Sequence, residues 1–232
     1  MGYLMRKARG RPTRVLIAGA MVGIGMPLLL GAGSARAATC VTGTPCSITG
    51  TLTLGSGTLS LTTPNTLTWG ATLSGLDLHL VDTITTDQTY VVNDATGNGA
   101  GWHVTVSATT FTKPAGATPG ATLADAGTFS TDGSITSPTA AGYPTAACST
   151  GAPTCVLPLH TSAPTTFPVA ITTAPATPTA FVIYDADASS GEGSINIGAP
   201  GAAPVGWWLN VPSATPAGVY TSAILMAVTS AP

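Results

Sequence analysis

The chain has 232 residues, of which only 7% are charged, with seven Lys or Arg against nine Asp or Glu. Six of the seven basic residues (Arg6, Lys7, Arg9, Arg11, Arg14 and Arg36) fall within the first 37 positions, leaving Lys113 alone beyond them. The remainder then carries a formal charge of −8, which excludes nucleic acid as a partner and gives no attraction to an anionic membrane or wall polymer without a bridging cation.

In chain order, the first element is a basic stretch followed by an uncharged apolar run from Val15 to Leu30 and the small-residue triplet Ala35-Arg36-Ala37. That order predicts a secretory signal peptide over residues 1–37, cleaved after Ala37, and an extracellular mature chain at the cell surface or wall. The run is shorter than the roughly 20 residues of a spanning helix, and Pro27 interrupts it, so no stable membrane span is expected after cleavage. No LPxTG-like motif precedes Pro232, so covalent sorting to the wall is not expected either.

Four cysteines follow in two local pairs, Cys40 with Cys46 and Cys148 with Cys155, each enclosing the Gly and Pro of a tight reversal. Proximity predicts two short disulfide loops. Their spacing is wider than the C-x(2–4)-C of zinc sites, and no metal or other cofactor is expected.

Beyond the leader, apolar residues recur with period two between Gly, Pro, Asn and Asp breaks. The pattern predicts strands near residues 47–54, 57–61, 65–73, 78–81, 88–92, 102–108, 156–159, 167–172, 180–185, 194–197, 206–211 and 218–229. This is an all-β chain, and the expected architecture is a single two-layer antiparallel β-sandwich of Ig-like type over residues 38–232. The stretch from Thr112 to Pro153, rich in Ala, Gly, Thr, Pro and Ser, reads as a long inserted loop.

Alternation also assigns faces. Trp102 shares a face with Val104 and Val106, Trp207 with Leu209 and Val211, and Trp69 with Leu67 and Ala71, so these indoles point inward. Trp208 falls on the opposite face with Asn210. An outward tryptophan holds a sugar ring against its flat face, so Trp208 and Asn210 are the candidate ligand-binding residues.

No catalytic constellation stands out. His79, His103 and His160 are far apart in sequence, and neither G-x-S-x-G nor H-E-x-x-H occurs. Asp185, Asp187 and Glu192 begin like a calcium loop, but Gly191 sits one position late for an EF-hand and Asn196 stands where its closing Glu belongs, which leaves a weak calcium candidate.

The segment Leu80–Tyr90, then Asp94–Phe111 with its Gly-rich run before Trp102-His103-Val104, resembles the surface proteins of the WxL-domain family. Trp207-Trp208-Leu209 spells W-x-L one strand before the last, Met226-Ala227-Val228 stands where the family's second W-x-L would fall, and Val211-Pro212, then Pro216–Tyr220 and a last strand resemble the closing element. The resemblance implies a non-catalytic protein held noncovalently on Gram-positive peptidoglycan or on other surface proteins. Two alternatives stand beside it: a structural subunit of a surface layer or appendage, and a cryptic extracellular hydrolase.

Overall fold

A computed structural model describes residues 50–138, 142–152, 154–161, 164–198 and 203–230. The expected leader and the Cys40–Cys46 pair lie outside the described residues. All strands among the described residues fall within Thr53–Pro232.

Among the described residues eleven strands run in chain order: β1 (Leu59–Thr62), β2 (Leu78–Val81), β3 (Tyr90–Asp94), β4 (Trp102–Ala108), β5 (Phe129–Asp132), β6 (Ala146–Cys148), β7 (Val169–Ile171), β8 (Phe181–Ala186), β9 (Gly193–Ile197), β10 (Gly206–Val211) and β11 (Ile224–Ser230). The only helical element among the described residues is a 3-10 turn at Thr85–Asp87. The strands form three sheets in the orders β1-β3-β9-β6, β2-β10-β5-β7 and β11-β4-β8. All named pairings are antiparallel, and the sheets pack in a sandwich-like arrangement around one core.

The pattern of β4 shows how sequence makes this fold. Trp102, Val104, Val106 and Ala108 are buried while the residues between them are half-buried. β11 lies along the whole of β4, from Ile224 opposite Ala108 to Ser230 opposite Trp102. Trp102 stacks on Tyr184 of β8 at 6.0 Å and donates its indole N–H to the Gly191 carbonyl at 2.7 Å. Gly191 has φ +72°, and a Cβ there would sit 2.6 Å from that indole nitrogen, so only glycine fits. A second aromatic cluster joins Phe129, stacked on Trp207 at 6.0 Å, with Trp69 and Phe111 edge-on. Buried side chains of this size each contribute roughly 1.5–3 kcal/mol.

Four sequence expectations are corrected. The 112–153 stretch is not only loop, because β5 and β6 arise within it. β5 pairs on both sides, with β10 and β7, in the middle of its sheet. The 65–73 segment is not a strand; it is an extended strap whose Leu67 and Trp69 turn inward while most of its residues are exposed. Residues 156–159 form no strand either. They follow the 187–192 turn through Val156 N–H to the Glu192 carbonyl and Leu159 N–H to Ser190 Oγ. Of the first predicted strand, residues 50–54 are exposed and unpaired in any ladder, and 47–49 lie outside the described residues. Cys148 and Cys155 are joined as expected.

Candidate functional site

A concavity of about 910 Å³ opens between the terminal strands of two sheets, β2 and β11. Its floor is Leu78 and Leu80 of β2, Leu209 and Val211 of β10, Ile224 and Met226 of β11, with Phe111 and Leu123. One wall is the strap and the other is the 215–222 segment. No Asp, Glu, Lys, Arg or His lines it, and its polar groups are chiefly threonine hydroxyls and backbone. The volume lies within the range of ligand pockets, and the chemistry selects a neutral occupant with apolar faces.

Both walls are anchored by buried polar groups. Asp82 is fully buried; its carboxylate accepts from Thr68 N–H at 2.6 Å and Ile84 N–H at 2.8 Å, which ties the strap to the end of β2. Trp69 donates its indole N–H to the Trp207 carbonyl at 2.9 Å. On the other side Lys113, 3% exposed, donates to the Ala217 carbonyl at 2.6 Å and to Thr118 Oγ1 at 3.1 Å. The single basic residue beyond Arg36 is thus spent on holding a groove wall, and it offers no charge to a partner. Asp87, near the strap anchor, titrates above the ordinary carboxylate range because burial and then the Asp82 charge disfavour its ionised form.

A second cluster surrounds Asp185. His160 Nδ1 lies 3.0 Å from Asp185 Oδ1 and 2.8 Å from its carbonyl, and the Tyr143 hydroxyl donates to the same Oδ1 at 3.0 Å. Tyr143 stacks on His160 at 3.7 Å, and burial followed by the Asp185 charge pushes its phenol well above the usual range. His103 stands opposite Asp185 in the β4–β8 register. A carboxylate that orients an imidazole is one part of a general base. Here the same oxygen also clamps a tyrosine, and neither described cavity is lined by these residues.

The nominated sugar platform is overturned. Trp208 is only 4% exposed, because its indole N–H donates to Asp132 Oδ1 and to the Ser134 carbonyl, each at 3.0 Å. The residues of β10 from Gly206 to Leu209 are all buried, so the centre of this sheet is covered on both faces and alternation no longer separates inside from outside. Asn210 is held by its neighbours: its amide donates to the Gly127 carbonyl at 2.7 Å, and its oxygen lies 2.7 Å from His79 Nδ1 beside a cavity of about 190 Å³. Trp102, Val104, Trp207 and Leu209 face the core. The calcium candidate does not assemble. Asp185 holds His160 and Tyr143, Asp187 accepts from Thr161 Oγ1 at 2.6 Å, and no group of three His, Cys, Asp or Glu among the described residues could hold a metal.

Sequence reasoning gave Asp82 and Lys113 no anchoring role and did not find the groove. Asp82 ends an apolar strand, an unusual place for a carboxylate and the one signal available. Among the described residues no helix is long and apolar enough to cross a membrane. The chain matches no family profile, no curated protein and no solved structure.

Proposed function

We propose that this chain is an exported, non-catalytic cell-surface protein of WxL-like type that works by holding a neutral, chain-like partner in the groove beneath the 65–73 strap. The observation that carries the reading is the lining of that groove, which is apolar and hydroxyl-bearing and has no charged side chain across about 910 Å³. Trp69 replaces Trp208 as the aromatic available to a ligand, since it lines the groove and is only half-buried. Gram-positive peptidoglycan is the partner proposed. Its glycan backbone presents amides, hydroxyls and C–H faces, and a chain at −8 with its one lysine buried has no means of attracting a polyanion.

Sedimentation with purified peptidoglycan tests this. The unmodified chain should pellet with the wall, and a double variant Ala71→Arg/Val219→Arg should stay in the supernatant at unchanged melting temperature, since both positions are exposed. Equal pelleting of the two would overturn the groove, and failure of both to pellet would overturn the wall.

A structural subunit of a surface assembly is the second reading. It is favoured by Leu52 and Leu54, which are 80% and 81% exposed just ahead of β1.

A further inference from the structure

We infer that Thr177 and Thr179, in the connection between β7 and β8, are O-glycosylation acceptors, each taking a neutral sugar from a phosphate-activated glycosyl donor. The inference rests on the export reading above and not on the groove.

Composition singles out this stretch. From Gly133 to Tyr184 the chain holds no Asp, Glu, Lys or Arg, and residues 172–180 read Thr-Thr-Ala-Pro-Ala-Thr-Pro-Thr-Ala. Uncharged runs of hydroxyl residues set among prolines are the composition of O-glycosylated segments. N-linked attachment is excluded, because no asparagine of the chain stands in an Asn-X-Ser or Asn-X-Thr context.

The fold then sorts the hydroxyls by availability. Past the end of β7 the chain stays pinned as far as Ala174, whose N–H donates to the Ala108 carbonyl and whose carbonyl accepts from Thr110 N–H, each at 3.3 Å. Thr173, 2% exposed, is used inside: its Oγ1 donates to Asp125 Oδ1 at 3.1 Å. From Pro175 to Ala180 the chain lies in no strand, and Thr177 and Thr179 are both exposed. Among the described residues neither hydroxyl has a hydrogen-bond partner. Pro178 between them fixes its own φ and keeps Thr177 out of the helical region, so both hydroxyls stand on an extended segment that pairs with no strand. Such a segment can enter an enzyme's cleft without opening a sheet. The other described threonines that precede a proline are engaged elsewhere. Thr118 Oγ1 accepts from Lys113 Nζ, while Thr63 and Thr215 line the groove.

The transfer asks nothing of this chain beyond the hydroxyl. Threonine Oγ1 attacks the anomeric carbon of the donor; the bond from that carbon to the phosphate oxygen breaks as the bond to Oγ1 forms. The phosphate leaves with the electron pair, and the hydroxyl proton passes to a base of the transferring enzyme. Charged side chains ordinarily hydrate a protein surface, and this face of the sequence has none between Asp132 and Asp185. Neutral sugars supply that hydration and leave the net charge unchanged.

The intact mass of the chain secreted by its own host tests the assignment. It should exceed the sequence mass by whole sugar residues, and fragmentation of the peptide between Asp132 and Asp185 should place them on Thr177 and Thr179 and leave Thr173 unmodified. Thr177→Ala/Thr179→Ala should lose the whole excess at unchanged secretion and melting temperature, since both positions are exposed. Thr177→Ser/Thr179→Ser keeps the hydroxyls and should keep the sugar. An excess that maps elsewhere, or that survives the alanine variant, overturns the inference. A chain at its bare sequence mass also overturns it: found in the medium, it leaves the export reading standing, and found only within the cells, it removes that reading as well.

Discussion

The indole N–H of Trp208 reaches the carboxylate of Asp132 across the β10–β5 pair at 3.0 Å, and both groups are buried, at 4% and 1% exposure. Adjacent tryptophans on opposite faces of one strand are therefore both core residues. Trp208→Ala should destabilise about as much as Trp207→Ala, by roughly 3–5 kcal/mol each, measured by chemical denaturation. Much of a domain's stability is at risk from either change. A Trp208→Ala cost below 1 kcal/mol would return this residue to the surface.

The same pair sets a pH dependence. Burial raises the Asp132 carboxyl above its ordinary range, against the lowering effect of the Trp208 and Ser134 N–H donors, and its second oxygen is buried without a partner. A carboxyl that is harder to ionise in the folded chain than in the unfolded one leaves the folded state binding more protons. Stability from this group is then greatest below the unfolded value of about 4 and falls as pH rises through the folded value. Asp132→Asn keeps an acceptor for Trp208 and cannot ionise. Its denaturation midpoint should fall less than the parent's between mildly acidic and neutral pH; an identical fall would remove Asp132 as the cause.

Asp82 holds the strap through Thr68 N–H, so Asp82→Ala should free one groove wall while costing about 1–3 kcal/mol. The informative readout is local. Amides in 65–73 should exchange faster than in the parent while those of β4 and β11 keep their relative order. Uniform acceleration across all three would mean that Asp82 supports the core and not the strap.

The strands β4 and β9 were legible because each keeps apolar residues in alternation, Trp102, Val104 and Val106 in one and Ile195 and Ile197 in the other. β5 was not, since Phe129-Ser130-Thr131-Asp132 is buried on every residue and three of its four side chains are polar. A strand of mostly polar residues covered on both faces carries no periodic signature. The strap misled in the opposite way. Leu67 and Trp69 do alternate with exposed neighbours, but their backbone pairs with no strand, and the alternation serves to cap the groove. The groove was illegible because its floor and walls come from segments near residues 63–80, 111–123 and 209–226, which only the sheet order brings together. Trp69 was correctly turned inward, yet nothing in its neighbours shows that it borders an opening.

Hydrogen exchange of the unmodified chain, with and without purified peptidoglycan, tests the central claim most directly because it needs no substitution. The account predicts slowed exchange in residues 63–73 and 215–222, the two groove walls, with little change around Tyr143, His160 and Asp185. Protection confined to the Asp185 cluster, with both groove walls unchanged, would contradict it.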